Sequence, residues 1–176
     1  MANLHDIQEP TQTDLLIGFC DIAGFTNISR KLDGLQLFDL LNGMAVTAIR
    51  CIKSSSGRIM KFMGDSMLLV FPEEAVDEGI RTMLEIRTQV IGYFASCNID
   101  VGLHFGIHYG EAIIGPYGEE PYRSIDVFGE SVNRAAIIAG THKGKFVISP
   151  QAFRKLLPET RKLFHKFTPP IVYIAE

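Results

Sequence analysis

Two carboxylates sit where apolar strands run out into turns. Asp21 ends the run Leu15-Leu16-Ile17-Gly18-Phe19-Cys20, and Gly24 turns the chain soon after it. Asp65 follows Gly64 in the two-residue gap between Arg58-Ile59-Met60-Lys61-Phe62-Met63 and Ser66-Met67-Leu68-Leu69-Val70-Phe71. A Gly-Asp step between two apolar runs is a hairpin signal in reversed dipeptide order, and it lifts Asp65 to a rigid tip. A carboxylate at the exit of a buried strand is costly unless it pairs or meets a cation. Two of them, each near a glycine, suit shared divalent ions. Magnesium in particular takes oxygen ligands and keeps waters and substrate phosphates in its shell. Lys61, four residues before Asp65, adds a base near the same turn. Read singly, Asp65 is equally a turn residue bonding its own backbone, and Lys61 a solvated strand residue.

Other chemistry-bearing residues are sparser. His104 and His108 lie four apart on one face of an alternating strand, opposite Val101, Leu103, Phe105 and Ile107. No third ligand is near them, so a half-exposed strand face is the expected home for both. Cys20, Cys51 and Cys97 are odd in number and widely spaced, which gives neither a metal pattern nor a disulfide framework. A reducing, cytoplasmic setting follows from that usage. The formal charge of -3 argues against a nucleic-acid partner. No apolar run is expected to cross a bilayer, and the polar residues at the start read as a tail over 1–12 rather than a signal peptide. The remaining 13–176 are enough for one domain with a sizeable core.

The elements that must position these residues follow from periodicity. Residues 14–20 read as a buried strand, with a helix start at Thr26 or Asn27. Residues 34–54 carry a helix period with Leu37, Phe38, Leu41, Met44, Ala45, Ala48, Ile49 and Ile52 on one face. The hairpin comes next, and Pro72 stops it. Residues 73–95 form a second amphipathic helix with Val76, Ile80, Met83, Val90 and Phe94 inward. The strand over 99–108 is expected to turn at Tyr109-Gly110 into 111–115. A polar loop, a short strand at 125–128 and a helix over 130–139 opened by Gly129 follow. Short elements at 145–149, 150–157, 162–167 and 170–175 close the chain. The order implies an α+β fold, helices packed on a mostly antiparallel sheet, with a ferredoxin-like βαββαβ core and C-terminal extensions.

Four stretches in order resemble the class III nucleotidyl cyclases, the adenylate and guanylate cyclase catalytic domains. They are Phe19-Cys20-Asp21-Ile22-Ala23-Gly24-Phe25-Thr26, Lys61-Phe62-Met63-Gly64-Asp65, Gly106-Ile107-His108-Tyr109-Gly110, and Asp126-Val127-Phe128-Gly129 with Val132-Asn133. The resemblance implies attack of a ribose 3′-oxygen on the α-phosphate of its own nucleoside triphosphate, with release of pyrophosphate. It implies that Asp21, Asp65 and the backbone carbonyl of Ile22 hold two Mg2+ or Mn2+ ions. Lys61 and Asp126 match the pair that selects adenine, so the implied substrate is ATP and the product cyclic AMP. Asn133 matches the ribose-orienting residue. Where the family has an arginine against the phosphates this chain has Ile137, with Arg134 an alternative donor one position short of a turn away. Lys166 matches, more loosely, the lysine of the terminal phosphates. Arg123 and Lys143 are read as surface charge. The resemblance also implies a head-to-tail homodimer, or a heterodimer with another cyclase domain, whose sites combine both chains. The Ile137 departure implies slow turnover, or a degenerate domain that binds nucleotide or a partner and regulates without turnover.

Overall fold

The computed structural model of the chain describes residue 4 and residues 6–175. The first half is the expected core. β1 (Thr11–Ile22) leads through the short α1 (Phe25–Ser29) into α2 (Gly34–Ile52). The hairpin β2 (Arg58–Met63) and β3 (Ser66–Pro72) follows. A 3-10 turn at Glu73–Ala75 then leads to α3 (Val76–Ser96) and β4 (Leu103–Tyr117). These four strands lie in the order β2-β3-β1-β4, every neighbour antiparallel. The second half adds β5 (Ser124–Phe128), α4 (Glu130–Thr141), β6 (Phe146–Ile148), α5 (Pro150–Lys155), α6 (Pro158–Arg161), β7 (His165–Phe167) and β8 (Val172–Ala175). β6, β8 and β7 extend the sheet beyond β4, and β5 pairs with the far end of β4. Among the described residues only the β4–β6 pair is parallel.

Alternation along β1 divides the sheet into two faces. Leu16, Cys20 and Ile22 join Met44, Ala48, Ile80, Met83 and Phe94 in the main core beneath α2 and α3. Leu15 and Ile17 join Leu68, Val70, Ala112, Ile114, Val127 and Ala135 on the opposite face, under β5 and α4. Asp21 keeps the register of Leu15 and Ile17, so it points to this second face.

Several expectations are corrected. β4 does not turn at Tyr109-Gly110. It runs unbroken because β1 pairs with it from Leu103 to Ile114. Gly110 serves packing instead: a Cβ there would come within 2.7 Å of Ser131 Oγ. α2 buries Leu40, Met44, Ala48 and Ile52, an i, i+4 line, whereas Phe38 is 64% exposed and Ile49 46%. Its first turn is fixed by Asp33, whose carboxylate accepts from the Leu35 and Gln36 amides while Gln36 reaches back to the Asp33 amide. By length and composition α2 is apolar enough to cross a membrane, contrary to expectation, yet it packs on the core beside α3. The boundary after residue 12 also shifts. β1 begins at Thr11, Leu4 is buried, and the Leu4 carbonyl accepts from Arg58 Nη1 at 2.9 Å. The helix expected over 150–157 stops at Lys155, because Leu156 and Leu157 before Pro158 adopt extended backbone.

Candidate active site

The two predicted metal carboxylates come together because of register. Ser66 lies opposite Asp21 across β1–β3, and His104 lies opposite it across β1–β4. Gly64 takes a left-handed φ of +67°, which closes the two-residue hairpin and sets Asp65 beside the same row. Ser66 Oγ donates to Asp21 Oδ1 at 3.0 Å, and His104 Nε2 lies 3.1 Å from Asp21 Oδ2. Both ends of the Asp21 carboxylate are thereby engaged.

The pair divides its protons unequally. Burial pushes Asp21 upward, but hydrogen bonds from His104, Asp65 and Ser66 outweigh it and hold that carboxyl down at about 2. Burial and then the neighbouring Asp21 push Asp65 up to about 6. Two carboxylates this close cannot both ionise cheaply. A divalent cation relieves that repulsion, so the donor set fits the implied ions. Ile22 adds a backbone carbonyl beside Asp21 at the last position of β1. Among the described residues there is no cluster of three or more His, Cys, Asp and Glu side chains arranged for a metal. A site with so few protein ligands suits an ion that completes its shell with water and phosphate oxygens.

Lys61 and Asp126, 65 residues apart, form an ion pair with Nζ to Oδ2 at 2.6 Å. A register shift between Ile59 and Lys61 sets Lys61 opposite Leu68, on the face that carries β5. Asp126 Oδ1 accepts from the Val127 amide at 2.8 Å, which fixes the carboxylate plane. A donor and an acceptor are thus held side by side at one depth.

α4 lies directly against β4. At Gly106 a Cβ would stand 2.0 Å from the Ala139 nitrogen and 2.5 Å from the Ala135 carbonyl oxygen, so only glycine permits this approach. The helix buries Ser131, Ala135 and Ala139. Asn133 and Ile137, one turn apart, face outward, with Ile137 63% exposed. Arg134 Nε pairs with Glu130 Oε1 at 3.3 Å on its own helix. A groove of about 320 Å³ beside α4 is lined by Ile137, Ile138, Pro170 and Ile171 together with the polar His108, Arg134, Ser149 and Gln151. Lys166 stands exposed on β7, at the opposite edge of the sheet from Lys61. Arg123 and Lys143 are exposed.

A sequence profile described as the adenylate and guanylate cyclase catalytic domain matches residues 7–168. The chain belongs to that family. A terminal-differentiation-specific adenylate cyclase of Dictyostelium discoideum is 32% identical over 130 residues, covering 69% of this chain and 6% of that protein. An adenylate cyclase of Streptomyces coelicolor is 28% identical over 156 residues, covering 89% of this chain and 37% of that protein. The cyclase domain thus matches little more than a third of either relative's length, or less. In fold it superposes on the adenylyl cyclase CyaB from P. aeruginosa with a TM-score of 0.80 at 19% identity, covering 96% of both chains.

The site residues expected from sequence fall into separate groups. Asp21 and Asp65 meet, and Lys61 and Asp126 meet. Asn133 and Ile137 share the outward face of α4, whereas Lys166 stands apart on β7. Sequence reasoning missed Ser66 and misjudged the histidines. His104 and His108 are each only 5% exposed, under α4 rather than on a half-exposed face. The available signal was the glycine at Gly106 between them, which lets a helix cover that face.

Proposed function

We propose that this cyclase domain converts ATP to 3′,5′-cyclic AMP and pyrophosphate, as a head-to-tail dimer, in the cytoplasm. The observation that carries the reading is the ion pair of Lys61 with Asp126 on the same sheet face as Asp21. Lys61 donates to adenine N1, and Asp126 accepts from the exocyclic amine. Guanine presents the opposite polarity at both positions and leaves both groups unpaired, which a buried polar site rejects strongly. Asp21, Asp65 and the Ile22 carbonyl would hold two Mg2+ or Mn2+ ions, which supply activation of the ribose oxygen and neutralisation of the leaving group. Asn133 orients the ribose, and it comes with Lys61 and Asp126 from the copy of the chain opposite the one that supplies the carboxylates; Lys166 meets the terminal phosphates. With so little covalent chemistry for the protein, position and charge set the rate.

A second reading is favoured by Ile137, exposed on the outward face of α4. Ile137, which stands where the family has its arginine, offers no hydrogen-bond donor where charge would develop, and the donors of the same groove, Arg134 among them, come from other positions. A domain of this kind binds nucleotide, or a partner cyclase chain, and regulates without turnover. The two readings separate in a cyclic-nucleotide assay on purified protein with ATP or GTP and Mg2+ or Mn2+. Cyclic AMP formed with at least about tenfold preference for ATP supports the first reading. Tight ATP binding with no product under manganese supports the second. Equal handling of ATP and GTP overturns the base-reading assignment in both.

A further inference from the structure

We infer that His104 is a positioning residue for Asp21, presetting that carboxylate for a divalent ion. The inference rests on the metal reading of Asp21 and Asp65 above. Three adjacent strands deliver Ser66, Asp21 and His104 in one row. Ser66 Oγ holds Oδ1 at 3.0 Å and His104 Nε2 holds Oδ2 at 3.1 Å. Each carboxylate oxygen has two acceptor sites, so the Ser66 and His104 hydrogen bonds leave further lone pairs, one of them met by the Asp65 proton until a cation takes its place. What the two donors remove is rotation of the carboxylate about its side-chain torsions. Hydrogen-bonded partners of metal ligands act in this way, and their loss commonly lowers metal affinity about 10- to 100-fold.

The histidine is poorly explained as a packing residue. Donation from Nε2 uses one ring nitrogen and leaves the other, Nδ1, as a second polar atom. That Nδ1 is buried and has no partner among the described residues. A buried polar atom without a partner costs stability. Phenylalanine fills similar space with no such atom, so packing alone favours an apolar ring at this position. The contact that imidazole makes and phenylalanine cannot is the one to Asp21.

The test is Mn2+ binding to the metal-free dimeric protein, measured by electron paramagnetic resonance with no nucleotide present. Four variants are compared with wild type: His104→Phe, His104→Gln, His104→Asn and Asp21→Ala. Glutamine carries a donor that reaches the Nε2 position, whereas asparagine is one methylene shorter. We expect His104→Phe and His104→Asn to weaken Mn2+ binding by about tenfold or more. His104→Gln should stay within about threefold of wild type, as the conservative rescue. His104→Phe should melt at or above the wild-type temperature, a result that a purely structural histidine would not give. Should His104→Phe fail to fold, the Gln and Asn pair carries the comparison alone. Asp21→Ala separates the two levels of the argument. Unchanged Mn2+ binding in Asp21→Ala overturns the metal reading itself. Lost binding in Asp21→Ala with wild-type binding in every His104 variant overturns only the positioning role.

Discussion

At the scale of single residues, the carboxylate pair makes the sharpest claim. In the metal-free protein Asp65 holds its proton up to about pH 6, through burial first and Asp21 second. Its folded pKa is raised, so the stability it contributes is full below the ordinary carboxylate range and is lost as pH rises through about 6. Asp21 has the opposite sign, its contribution present at neutral pH and lost as pH falls toward about 2. Carboxyl-carbon NMR of metal-free protein should show an Asp65 midpoint near 6, and Asp21→Asn should lower it by removing the like charge. An Asp65 midpoint in the ordinary range would mean that the carboxylates stand apart. The base-reading pair has its own test: Lys61→Glu combined with Asp126→Cys should erode discrimination between ATP and GTP, measured by competition binding. The residue types were legible in the sequence, because a carboxylate after an apolar run is conspicuous and a Gly-Asp hairpin is local. Ser66 and His104 as partners of Asp21 were not. They lie 45 and 83 residues away, and which residue faces Asp21 is decided by the register of three strands together.

At the scale of elements, α4 is the one whose placement matters most, and it depends on a glycine of β4. Gly106→Ala would drive a methyl into the Ala139 nitrogen and Ala135 carbonyl, which are backbone atoms with no rotamer to yield. We expect a loss of about 3 kcal/mol in urea unfolding, at the upper end for overpacking. A stability equal to wild type would mean that α4 does not rest on β4 as described. The outward face of the same helix carries the rate argument. Isoleucine at Ile137 cannot donate to phosphate oxygens as charge builds on them, whereas a guanidinium does so through parallel hydrogen bonds. Ile137→Arg should therefore raise turnover by at least about tenfold with little change in ATP affinity, the pattern of an interaction made mainly in the transition state. Arg134 is paired with Glu130 on its own helix, although it lines the same groove as Ile137, so Arg134→Ala should matter less. If Arg134→Ala is the damaging change, Arg134 is the phosphate donor. The same element shows why periodicity misleads in part. The α2 face was read as one broad apolar stripe, yet only its i, i+4 line meets the core, since a 3.6-residue period fixes spacing and leaves the angular position of the core open.

At the scale of the molecule, the sheet sets what one chain can assemble. Strand order places β2 and β7 at opposite edges, six strand steps apart. In the dimer proposed above the carboxylates of β1 and the β2–β3 hairpin come from one chain, and Lys61, Asp126 and Asn133 from the other. Asn133 turned outward on α4 fits the same logic, since it offers its side chain to something beyond its own core. A two-fold pair of identical chains makes two such shared sites. Asp65→Ala and Asn133→Ala proteins should each be inactive alone. Mixed in equal amounts, half of the dimers contain one chain of each kind. One site in each mixed dimer then collects both lesions and the other collects none. Activity should recover to about a quarter of the wild-type value, measured as cyclic AMP formed per chain. No recovery, with mixed dimers shown by mass spectrometry, would place the carboxylates and Asn133 in the same chain's site, and α4 would have to serve its own β1.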